Sequence, residues 1–559
     1  MVQIHSPSID PAHPSRKTLR SKCDGIPVLA YSRFHLASWP ALLRLLCCFG
    51  FLAGCSPPTL STVSTLVVAS IEPENLNPIF GDIHEGNWKI FDGLVKYDQQ
   101  LGLLPDLADE LPEVSADGKT VTVRLRSGIF FHDGSPLSAD DVVFTYRALL
   151  DPKTATPLVD QYDSLAEVNA VGPLTVQFIL KRVDPAFSEK LWVGIVPKRA
   201  LAGKDLRTAE FNKAPIGTGP YAFKEWIPGQ RLVLIANPKY AGGAPSIPRV
   251  VFAFIEDENG IATQLANGSV DIGGLPPKLA ERFRNDPRFE VIEVPSADCR
   301  VVVLPNGNPI LQQAVVRRAF SMAIDRAAMV KGILDGASEP AYGPIDPTQL
   351  SFDRSIVPYD PAQARVLLDD AGWKDIRRDG IRYDNAGRRL AFSLMYPADD
   401  SLRKEVALAV ASDLGKIGVE VDVQGVGWDV IYKRYKIDAT LFGWGLPFDP
   451  DIELYRLFHS NESPSDDVSD NPAGMKNPEI DRVLDAARGT ASKAARTSAY
   501  ARLQELIRED GSWLYTVRLR HVVVASARIK GISPQYEGHA HGVGRGVLWN
   551  LEKWELAGQ

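Results

Sequence analysis

The sequence has few cysteines, and no long apolar run follows its N-terminal segment. Four of the five cysteines lie among the first 55 residues, and the fifth is Cys299. This distribution excludes a disulfide framework in the body of the chain. No apolar run after residue 54 reaches the roughly 18 residues that a membrane-spanning helix needs, so we expect none there.

The sequence also lacks a block of basic residues. Its 62 Lys and Arg are outnumbered by 69 Asp and Glu, which gives a formal net charge of -7. Surfaces that bind nucleic acids neutralise phosphates with clustered positive charge, so we expect no nucleic-acid partner. With 45% hydrophobic residues, 44 Gly and 41 Pro, the 559-residue chain has globular composition and room for roughly three or four domains.

Common catalytic spacings are missing as well. The chain has no His-Glu-x-x-His, no Gly-x-Ser-x-Gly and no Cys-x-x-Cys motif. The sequence therefore predicts a protein that is not an enzyme and needs no cofactor. An extracytoplasmic enzyme or sensor built from scattered carboxylates stays open as an alternative.

The first 54 residues have the features of a targeting segment. Six basic and two acidic residues surround an apolar stretch at 41–53, which is too short to cross a bilayer. It ends in Leu52-Ala53-Gly54-Cys55, which is similar to a bacterial lipobox. We predict a signal peptide over 1–54, lipidation of Cys55, a tether over 55–64, and an extracytoplasmic protein held to the membrane by its lipid.

Helix and strand signals alternate through the later half of the chain, whereas residues 97–135 are rich in hairpin signals; both indicate the α/β class. Thr65–Ser70 is a short apolar strand, and the helix after Ser138 is capped by that serine together with Asp141. Two more helices are predicted, one from Pro361 to Ala371 with Asp360 as its cap and one over 402–417.

Several segments, in this order, resemble the family 5 solute-binding proteins of ABC importers, the group of dipeptide, oligopeptide and nickel binders. The most diagnostic segment is 121–144, which contains Phe-His-Asp-Gly. The others are 91–98, 104–109, 215–221, 237–240, 316–326, 359–361 with 371–373, and 442–450. The resemblance covers nearly all of the chain after the targeting segment.

The resemblance implies a two-lobed periplasmic-binding-protein fold of type II, with an extra subdomain inserted in lobe I. The implied boundaries are 65–97, 210–305 and 513–559 for lobe I, 98–209 for the inserted subdomain, and 306–512 for lobe II. Crossover segments near 304–306 and Trp513 would form a hinge. The implied protein is a monomer that captures a solute between its lobes and passes it to ABC permease subunits.

The segment around Trp444 predicts part of a ligand pocket. A short strand delivers Trp444 to a loop stiffened by prolines, and this loop carries Phe448 and Asp449. Aromatic rings supply contact area at low entropy cost, and a carboxylate can take a cation. The alternative is that Trp444 and Phe448 only pack the lobe.

Four further residues are candidates for the pocket. Glu74 and Asn75 follow the first strand in a loop that, by resemblance, faces the cleft, although turn formation would explain them equally well. Trp428 is a second possible pocket wall. Arg300, beside a predicted crossover strand, has two open interpretations, namely contact with a ligand carboxylate and a structural ion pair.

The segment after Trp444 departs from the peptide-binding pattern of this family, because peptide binders carry an Asp about three residues after this Trp, and Pro447 stands there. The pattern Trp-Gly-x-Pro-aromatic-Asp-Pro is more similar to the nickel-binding branch. We place short peptides or peptide-like solutes first and a nickel chelate second. No metal site is predicted from the histidines: His132 should bond its own turn, His539 and His541 should form a surface pair, and His459 is a candidate for an indirect role.

We expect Cys55→Ser to move most of the protein from the membrane fraction to the soluble fraction, because acyl chains supply the attachment. Cell fractionation followed by immunoblotting measures this distribution. Cys299→Ser is the matched control and should leave the protein with the membrane. A Cys55→Ser protein that stays in the membrane fraction contradicts the prediction.

Overall fold

The computed structural model describes residues 64–81, 87–349, 353, 355–445, 448–460, 468, 470–539 and 546–557. The predicted signal peptide, Cys55 and most of the tether lie outside the described residues. Pro447 and His541 lie outside them too. Within the described part of the chain, no helix is both long and apolar enough to cross a membrane.

The elements are numbered in chain order. The strands are β1 (Thr65–Ser70), β2 (Val95–Tyr97), β3 (Leu103–Pro105), β4 (Glu113–Val114), β5 (Thr120–Arg124), β6 (Leu165–Gly172), β7 (Thr175–Leu180), β8 (Tyr221–Ile227), β9 (Arg231–Ala236), β10 (Arg249–Phe254), β11 (Ile272–Gly274), β12 (Phe289–Val303), β13 (Glu339–Pro340), β14 (Asp375–Ile376), β15 (Arg382–Tyr383), β16 (Ala391–Pro397), β17 (Glu420–Val426), β18 (Ala439–Trp444), β19 (Trp513–Ser526), β20 (Ile529–Lys530) and β21 (Glu555–Leu556). The α-helices are α1 (Ala139–Leu150), α2 (Lys198–Leu201), α3 (Glu258–Asn267), α4 (Pro277–Ala280), α5 (Ala314–Ala323), α6 (Arg326–Ile333), α7 (Pro361–Asp370), α8 (Ser401–Gly415), α9 (Trp428–Arg434), α10 (Asp451–Phe458), α11 (Pro478–Arg488) and α12 (Lys493–Asp510).

The main sheet runs in the order β17-β16-β18-β12-β19-β11-β1-β10-β9-β8. Two long antiparallel strands, β12 and β19, lie in its middle. On one side they adjoin the first strand group (β11, β1, β10, β9 and β8), and on the other they adjoin the second strand group (β18, β16 and β17). β12 and β19 therefore belong to both halves of the sheet.

The pairing of β12 with β19 is interrupted where the chain passes between the halves. Residues 289–295 pair with 520–526, and 299–303 pair with 513–518, with register shifts between Pro295 and Cys299 and between Arg300 and Val301. Proline has no N–H to donate to the ladder, and a bulge bends a strand locally. Residues 299–303 also pair with β18, so by pairing they lie with the second strand group, ahead of the predicted boundary at 305/306.

Alternation along these strands divides the apolar side chains between the two faces of the second strand group. Val302, Leu441 and Leu514 belong to the core beneath α5, α7 and α8. Val301, Val303 and Phe442 face the core beneath α10, α11 and α12. Because successive side chains of a strand point to opposite faces of the sheet, each face has its own apolar core covered by helices. The second strand group is therefore a layered α/β arrangement.

A separate four-stranded sheet lies within the segment predicted as the inserted subdomain. Its order is β4-β5-β7-β6, and α1 packs beside it. The predicted hairpin is confirmed, since β4 and β5 pair across a turn in which Gly118 has φ +70°. The exact limits of the subdomain stay a prediction.

The predicted helix ends agree closely with the structure. Asp141 accepts hydrogen bonds from the Ser138 N–H (3.0 Å) and hydroxyl (2.8 Å), and Asp360 accepts one from the Gln363 N–H (2.8 Å). The helix predicted over 402–417 begins one residue earlier, at Ser401 after the cap Asp400, and ends two residues earlier, at Gly415. The residues that cap these helices can therefore be predicted from the local sequence.

Candidate functional site

Three parallel strands end together in the second strand group. β17, β16 and β18 run in the same direction, so their carboxyl ends at Val426, Pro397 and Trp444 share one edge of the sheet. α8 follows β16 and begins at Ser401, and α9 follows β17 and begins at Trp428. Open α/β sheets bind ligands outside the carboxyl ends of their strands. We call this edge the carboxyl edge.

Trp444 is held at the carboxyl edge by its strand and by aromatic neighbours. Its backbone pairs with Cys299 of β12. Its ring is half-buried and lies 4.7 Å from the Phe442 ring and 4.9 Å from the Trp513 ring, between centroids. Offset contacts of this kind fix ring orientation. Trp444 is thus a rigid aromatic surface that is not fully covered by protein.

The residue after Trp444 must be glycine for the chain to turn here. Gly445 has φ +146°, and a β-carbon on it would lie 2.1 Å from the Ala297 carbonyl oxygen. Its own carbonyl accepts a hydrogen bond from the His539 N–H at 2.7 Å. The loop therefore leaves β18 in close contact with β12 and with the C-terminal segment.

Phe448 lies in an aromatic contact with another part of the chain. It is 6% exposed, and its ring centroid is 4.3 Å from that of Tyr97. Phe448 and Ile452 pack with the core formed by the first strand group and the segment 87–211. The Phe448 ring therefore packs against other residues of the protein. Its role as a ligand contact stays a prediction.

Asp449 is likewise engaged within the protein. Its carboxylate accepts hydrogen bonds from both terminal nitrogens of Arg496, at 2.7 Å and 2.5 Å, and its backbone N–H donates to Glu189 at 3.1 Å. Burial, followed by the nearby Asp449 carboxylate, raises the pKa of Glu189 to about 7. A carboxylate paired on both oxygens with a guanidinium has little capacity left for a ligand ammonium.

Beside these contacts runs a chain of ion pairs. Asp184 pairs with Lys190 at 2.9 Å, Lys190 lies 3.6 Å from Asp451, and Asp451 pairs with Arg488 at 2.9 Å. Arg488 also lies 3.4 Å from Asp163. Together with the Tyr97–Phe448 and Glu189–Asp449 contacts, these pairs join residues 97–190 to residues 448–496. We call this set of contacts the clasp.

A second set of contacts joins the two halves at α8. The Ser401 hydroxyl donates to Glu258 at 2.9 Å, and Lys278 pairs with Glu405 at 2.8 Å. Ser401 and Glu405 belong to α8, whereas Glu258 and Lys278 belong to α3 and α4, near the first strand group. α8 adjoins the carboxyl edge, so contacts between the halves form there as well as at the clasp.

The other predicted contacts lie in different places. Trp428 begins α9, and its ring is 6.4 Å from that of Phe442, so it shares an aromatic cluster with Trp444. Glu74 and Asn75 lie in the loop after β1, beside the first strand group. Glu74 lines a cavity of about 490 Å³ together with Trp226 and Lys213, and the Asn75 side-chain oxygen accepts the Asn77 N–H at 2.9 Å.

The crossing strands carry a cluster of buried charges, in which Arg300 forms the structural ion pair that was one of its two predicted roles. The centre is Asp298, which accepts hydrogen bonds from Arg300 at 2.5 Å, His521 at 2.9 Å and His539 at 2.8 Å. Burial opposes its ionisation, yet Arg300 and the two histidines hold the pKa of Asp298 well below its usual range. Glu537 bonds the other nitrogen of His521 at 2.8 Å.

The first turn of α8 brings Arg403 to the same cluster. Its guanidinium pairs with Asp400 at 2.6 Å. Burial, followed by repulsion from Arg300, lowers the pKa of Arg403 to about 10. No motif pointed to Arg403, because its partners are distant in sequence. The available signal was two charges, Asp298 and Arg300, directly before the apolar run at 301–303.

The histidine predictions have mixed outcomes. His132 makes structural hydrogen bonds, but the prediction that they lie within its own turn is wrong: its Nε2 lies 3.0 Å from the Gly219 carbonyl oxygen, and its Nδ1 accepts the Gly217 N–H at 3.2 Å. His539 differs from the expected surface residue, because it is largely buried against Asp298. Among the described residues, no three His, Cys, Asp or Glu side chains are arranged to hold a metal ion.

Comparisons with known proteins agree with this architecture. Residues 102–465 match the model for bacterial extracellular solute-binding proteins, family 5 middle. The chain belongs to this family. It is 40% identical over 484 residues to Protein XP55 of Streptomyces lividans, an alignment that covers 86% of this chain and 88% of that protein. The fold is the predicted two-lobed type II fold of mixed α/β structure, which is confirmed.

Two solved structures of the family are similar over 88% of this chain and 99% of their own. NikZ from Campylobacter jejuni, in complex with Ni(L-His), has 30% sequence identity and a TM-score of 0.82. The oligopeptide-binding protein AppA from Bacillus subtilis, in complex with a nonapeptide, has 29% identity and a TM-score of 0.76. The family binds solutes outside the cytoplasm and works with ABC permeases.

His521 predicts a specific dependence of stability on pH. Burial by itself lowers its pKa, but Glu537 and the hydrogen bonds to Asp298 and Glu537 outweigh burial and raise the pKa to about 10. Protonated His521 therefore stabilises the folded protein. This contribution is complete below about pH 6.5, the pKa of histidine in an unfolded chain, and is lost as the pH rises through 10.

We expect the difference in unfolding free energy between the wild type and His521→Gln to shrink from pH 7 to pH 10, by at most about 1.4 kcal/mol per pH unit. Denaturant titrations at fixed pH measure it. His132→Gln is the control: burial lowers the pKa of His132, so its difference should be flat over this range and change only on acidification. If the free-energy difference between the wild type and His521→Gln does not change from pH 7 to pH 10, the raised pKa of His521 is contradicted.

Proposed function

We propose that this protein is the substrate-binding lipoprotein of an ABC importer. It captures short peptides or peptide-like solutes between its lobes and delivers them unchanged to the membrane permease. It acts as a monomer, anchored outside the cytoplasm through lipidated Cys55. The family, the targeting segment and the arrangement around the carboxyl edge support this function.

The observation that carries the proposal is the way in which the two halves meet. Within the sheet they share β12 and β19, and further contacts between them form at the clasp and at α8. This is the arrangement of a hinged protein in its closed form, with the carboxyl edge between the halves. We place the hinge at the register breaks near Pro295–Cys299 and in the facing part of β19, where the ladder is interrupted.

In this proposal the predicted pocket residues have two different roles. Trp444 and Trp428 are the aromatic walls of the ligand site, because both lie at the carboxyl edge. Phe448 and Asp449 stabilise closure through Tyr97, Arg496 and Glu189. Glu74 and Asn75 border the site from the opposite half.

A nickel chelate is the second candidate ligand. The similarity to NikZ from Campylobacter jejuni, whose structure contains Ni(L-His), favours it. A chelate supplies most of its own metal ligands, so it does not require a protein site with three metal-binding side chains. The same binding protein can therefore be tested with both ligand classes.

Native mass spectrometry of residues 56–559, purified from cells, tests the proposed function directly. We expect a retained solute of peptide-like mass that is released intact on denaturation, without peptide cleavage during incubation. Nickel together with an organic chelator, found by metal analysis, would favour the second candidate. Cleavage products in excess of the protein would contradict a transport function.

We expect Trp444→Leu to weaken ligand binding by about tenfold or more, because central aromatic contacts often contribute 2 kcal/mol or more to binding. Titration calorimetry with the ligand identified above measures the affinity. Tyr359→Leu replaces an exposed aromatic residue and is the control. Unchanged affinity of a folded Trp444→Leu protein would remove Trp444 from the site.

A further inference from the structure

A cavity beside the second strand group has no part in the proposed function. It has a volume of about 200 Å³ and is lined by residues of α5, α12 and the first turn of chain in β19. Within the described part of the chain, its lining contains no residue of β16, β17, β18, α8 or α9, the elements at the carboxyl edge. Two lining residues, Arg318 and Ile356, are exposed, so the cavity opens to solvent. We call it the α5–α12 cavity.

A buried arginine without a carboxylate partner lines the α5–α12 cavity. Arg326 is 3% exposed, and its Nε donates to the Tyr515 carbonyl oxygen at 2.8 Å. Among the described residues, every acceptor of its hydrogen bonds is a neutral carbonyl or hydroxyl oxygen. Burial lowers the pKa of Arg326 to about 10, so the side chain is still protonated at neutral pH. Buried charges in proteins are normally paired with an opposite charge, and this one lacks such a partner in the described chain.

Two residues of the cavity wall have hydrogen-bond donors left for a ligand. The Nη2 of Arg326 carries two hydrogens, and the described residues supply it with one acceptor, the Ser321 hydroxyl at 2.9 Å. Trp513 is 4% exposed, and its buried indole N–H has no acceptor in the described part of the protein. Buried donors without acceptors are costly and rare. An acceptor inside the cavity would satisfy both donors.

The charged residues of the lining leave an excess of positive charge. Arg508 pairs with Asp353 at 2.6 Å, which compensates its charge. Arg318 and Arg326 have no such compensation from the residues that the structure describes, and no described Asp or Glu lines the cavity. Guanidinium groups are always charged at neutral pH and bind planar anions well. The electrostatics of the cavity therefore favour an anion.

Most of the remaining wall is apolar. Its apolar and aromatic side chains are Met322, Val357, Pro358, Ile507, Trp513 and Tyr515. A cavity of about 150 Å³ can hold benzene, so this one has room for a ring with a short arm. Apolar walls with a few convergent polar groups are typical of small-molecule sites.

We propose that the α5–α12 cavity binds a small organic anion with an apolar body, a second ligand that differs from the solute captured between the lobes. The anionic group binds Arg326 and the Trp513 indole N–H, and exposed Arg318 attracts it from solvent. The apolar body packs against Ile507 and its neighbours. Because the Trp513 ring also lies 4.9 Å from that of Trp444, the second ligand contacts the aromatic cluster of the carboxyl edge.

Phenylacetate and phenylacetamide test the inference, because they have the same shape and differ in charge. Residues 56–559 are isotope-labelled at the tryptophan indole nitrogens, and the Trp513 resonance is identified as the one missing from Trp513→Phe. We expect phenylacetate to shift this resonance saturably and, by titration calorimetry, to bind about tenfold or more tightly than phenylacetamide. Hexanoate is titrated in parallel, and the tighter of the two acids shows whether the cavity prefers an aromatic or an aliphatic body.

Matched variants separate a loss of contact from a loss of fold. Trp513→Phe keeps a ring and removes the N–H, so we expect it to weaken phenylacetate binding about tenfold. Trp373→Phe is its control, because Trp373 also has a buried indole N–H without an acceptor among the described residues but does not line the cavity. Its affinity for phenylacetate should equal that of the wild type.

Arg326→Gln should remove the preference for phenylacetate over phenylacetamide. Arg326 also bonds backbone carbonyls of three chain segments, so thermal unfolding must first show that this variant folds. If it does not fold, Arg318→Gln replaces it, since Arg318 is exposed. We expect Arg318→Gln to weaken phenylacetate binding about threefold at low salt.

Three results would overturn the proposal. They are the absence of a Trp513 shift with both acids, equal affinity for phenylacetate and phenylacetamide, and unchanged affinity in folded Trp513→Phe and Arg318→Gln proteins. Sulfate that binds as tightly as phenylacetate would also contradict it, because the apolar wall would then contribute nothing. These results leave the transport function untouched, since its own test concerns the solute that the protein retains from cells.

Discussion

The antiparallel pairing of β12 with β19 is the constraint on which the rest of the structure depends. Within the described residues, β12 pairs with β18 of the second strand group and β19 pairs with β11 of the first, so the main sheet is continuous between the two groups only through the pairing of β12 with β19. A continuous ladder would make the two halves one rigid sheet. The register shifts near Pro295 and Cys299 remove hydrogen bonds at the point of passage, so the halves stay connected while the joint between them is weakened.

The same joint carries the cluster of buried charges around Asp298. Asp298 and Arg300 follow the break directly, and His521 lies opposite it on β19. Charged groups are costly in a sheet interior unless they are paired; here Arg300 pairs with Asp298 on β12, and Asp298 bonds His521 on β19. Rotation of one half relative to the other would therefore change the contacts of this cluster and the position of Trp444, whose strand pairs with β12 at Cys299.

Local structure was predictable from the sequence because it depends on neighbouring residues. The caps at Ser138 and Asp360 and the turn at Gly118 follow from side chains within a few positions. The site was less predictable. A rigid loop with an aromatic ring and a carboxylate is equally suited to holding a ligand and to holding another part of the chain, and Phe448 and Asp449 contact Tyr97 and Arg496. Arg403 was missed because its neighbours Arg300 and His539 lie more than a hundred residues away along the chain.

The composition of the clasp suits a closure that must be reversible. A large apolar surface would hold the halves together whether or not a ligand was bound, since burial stabilises by roughly 25 cal/mol per Å². The clasp instead combines one aromatic contact with buried ion pairs such as Lys190 with Asp451 and Asp451 with Arg488. These charges are hydrated when the halves separate, and the loss of hydration on closure cancels much of their attraction. In the closure that we propose, the open and closed forms are then similar in free energy, and a ligand shifts the balance between them by its differential affinity for the closed form.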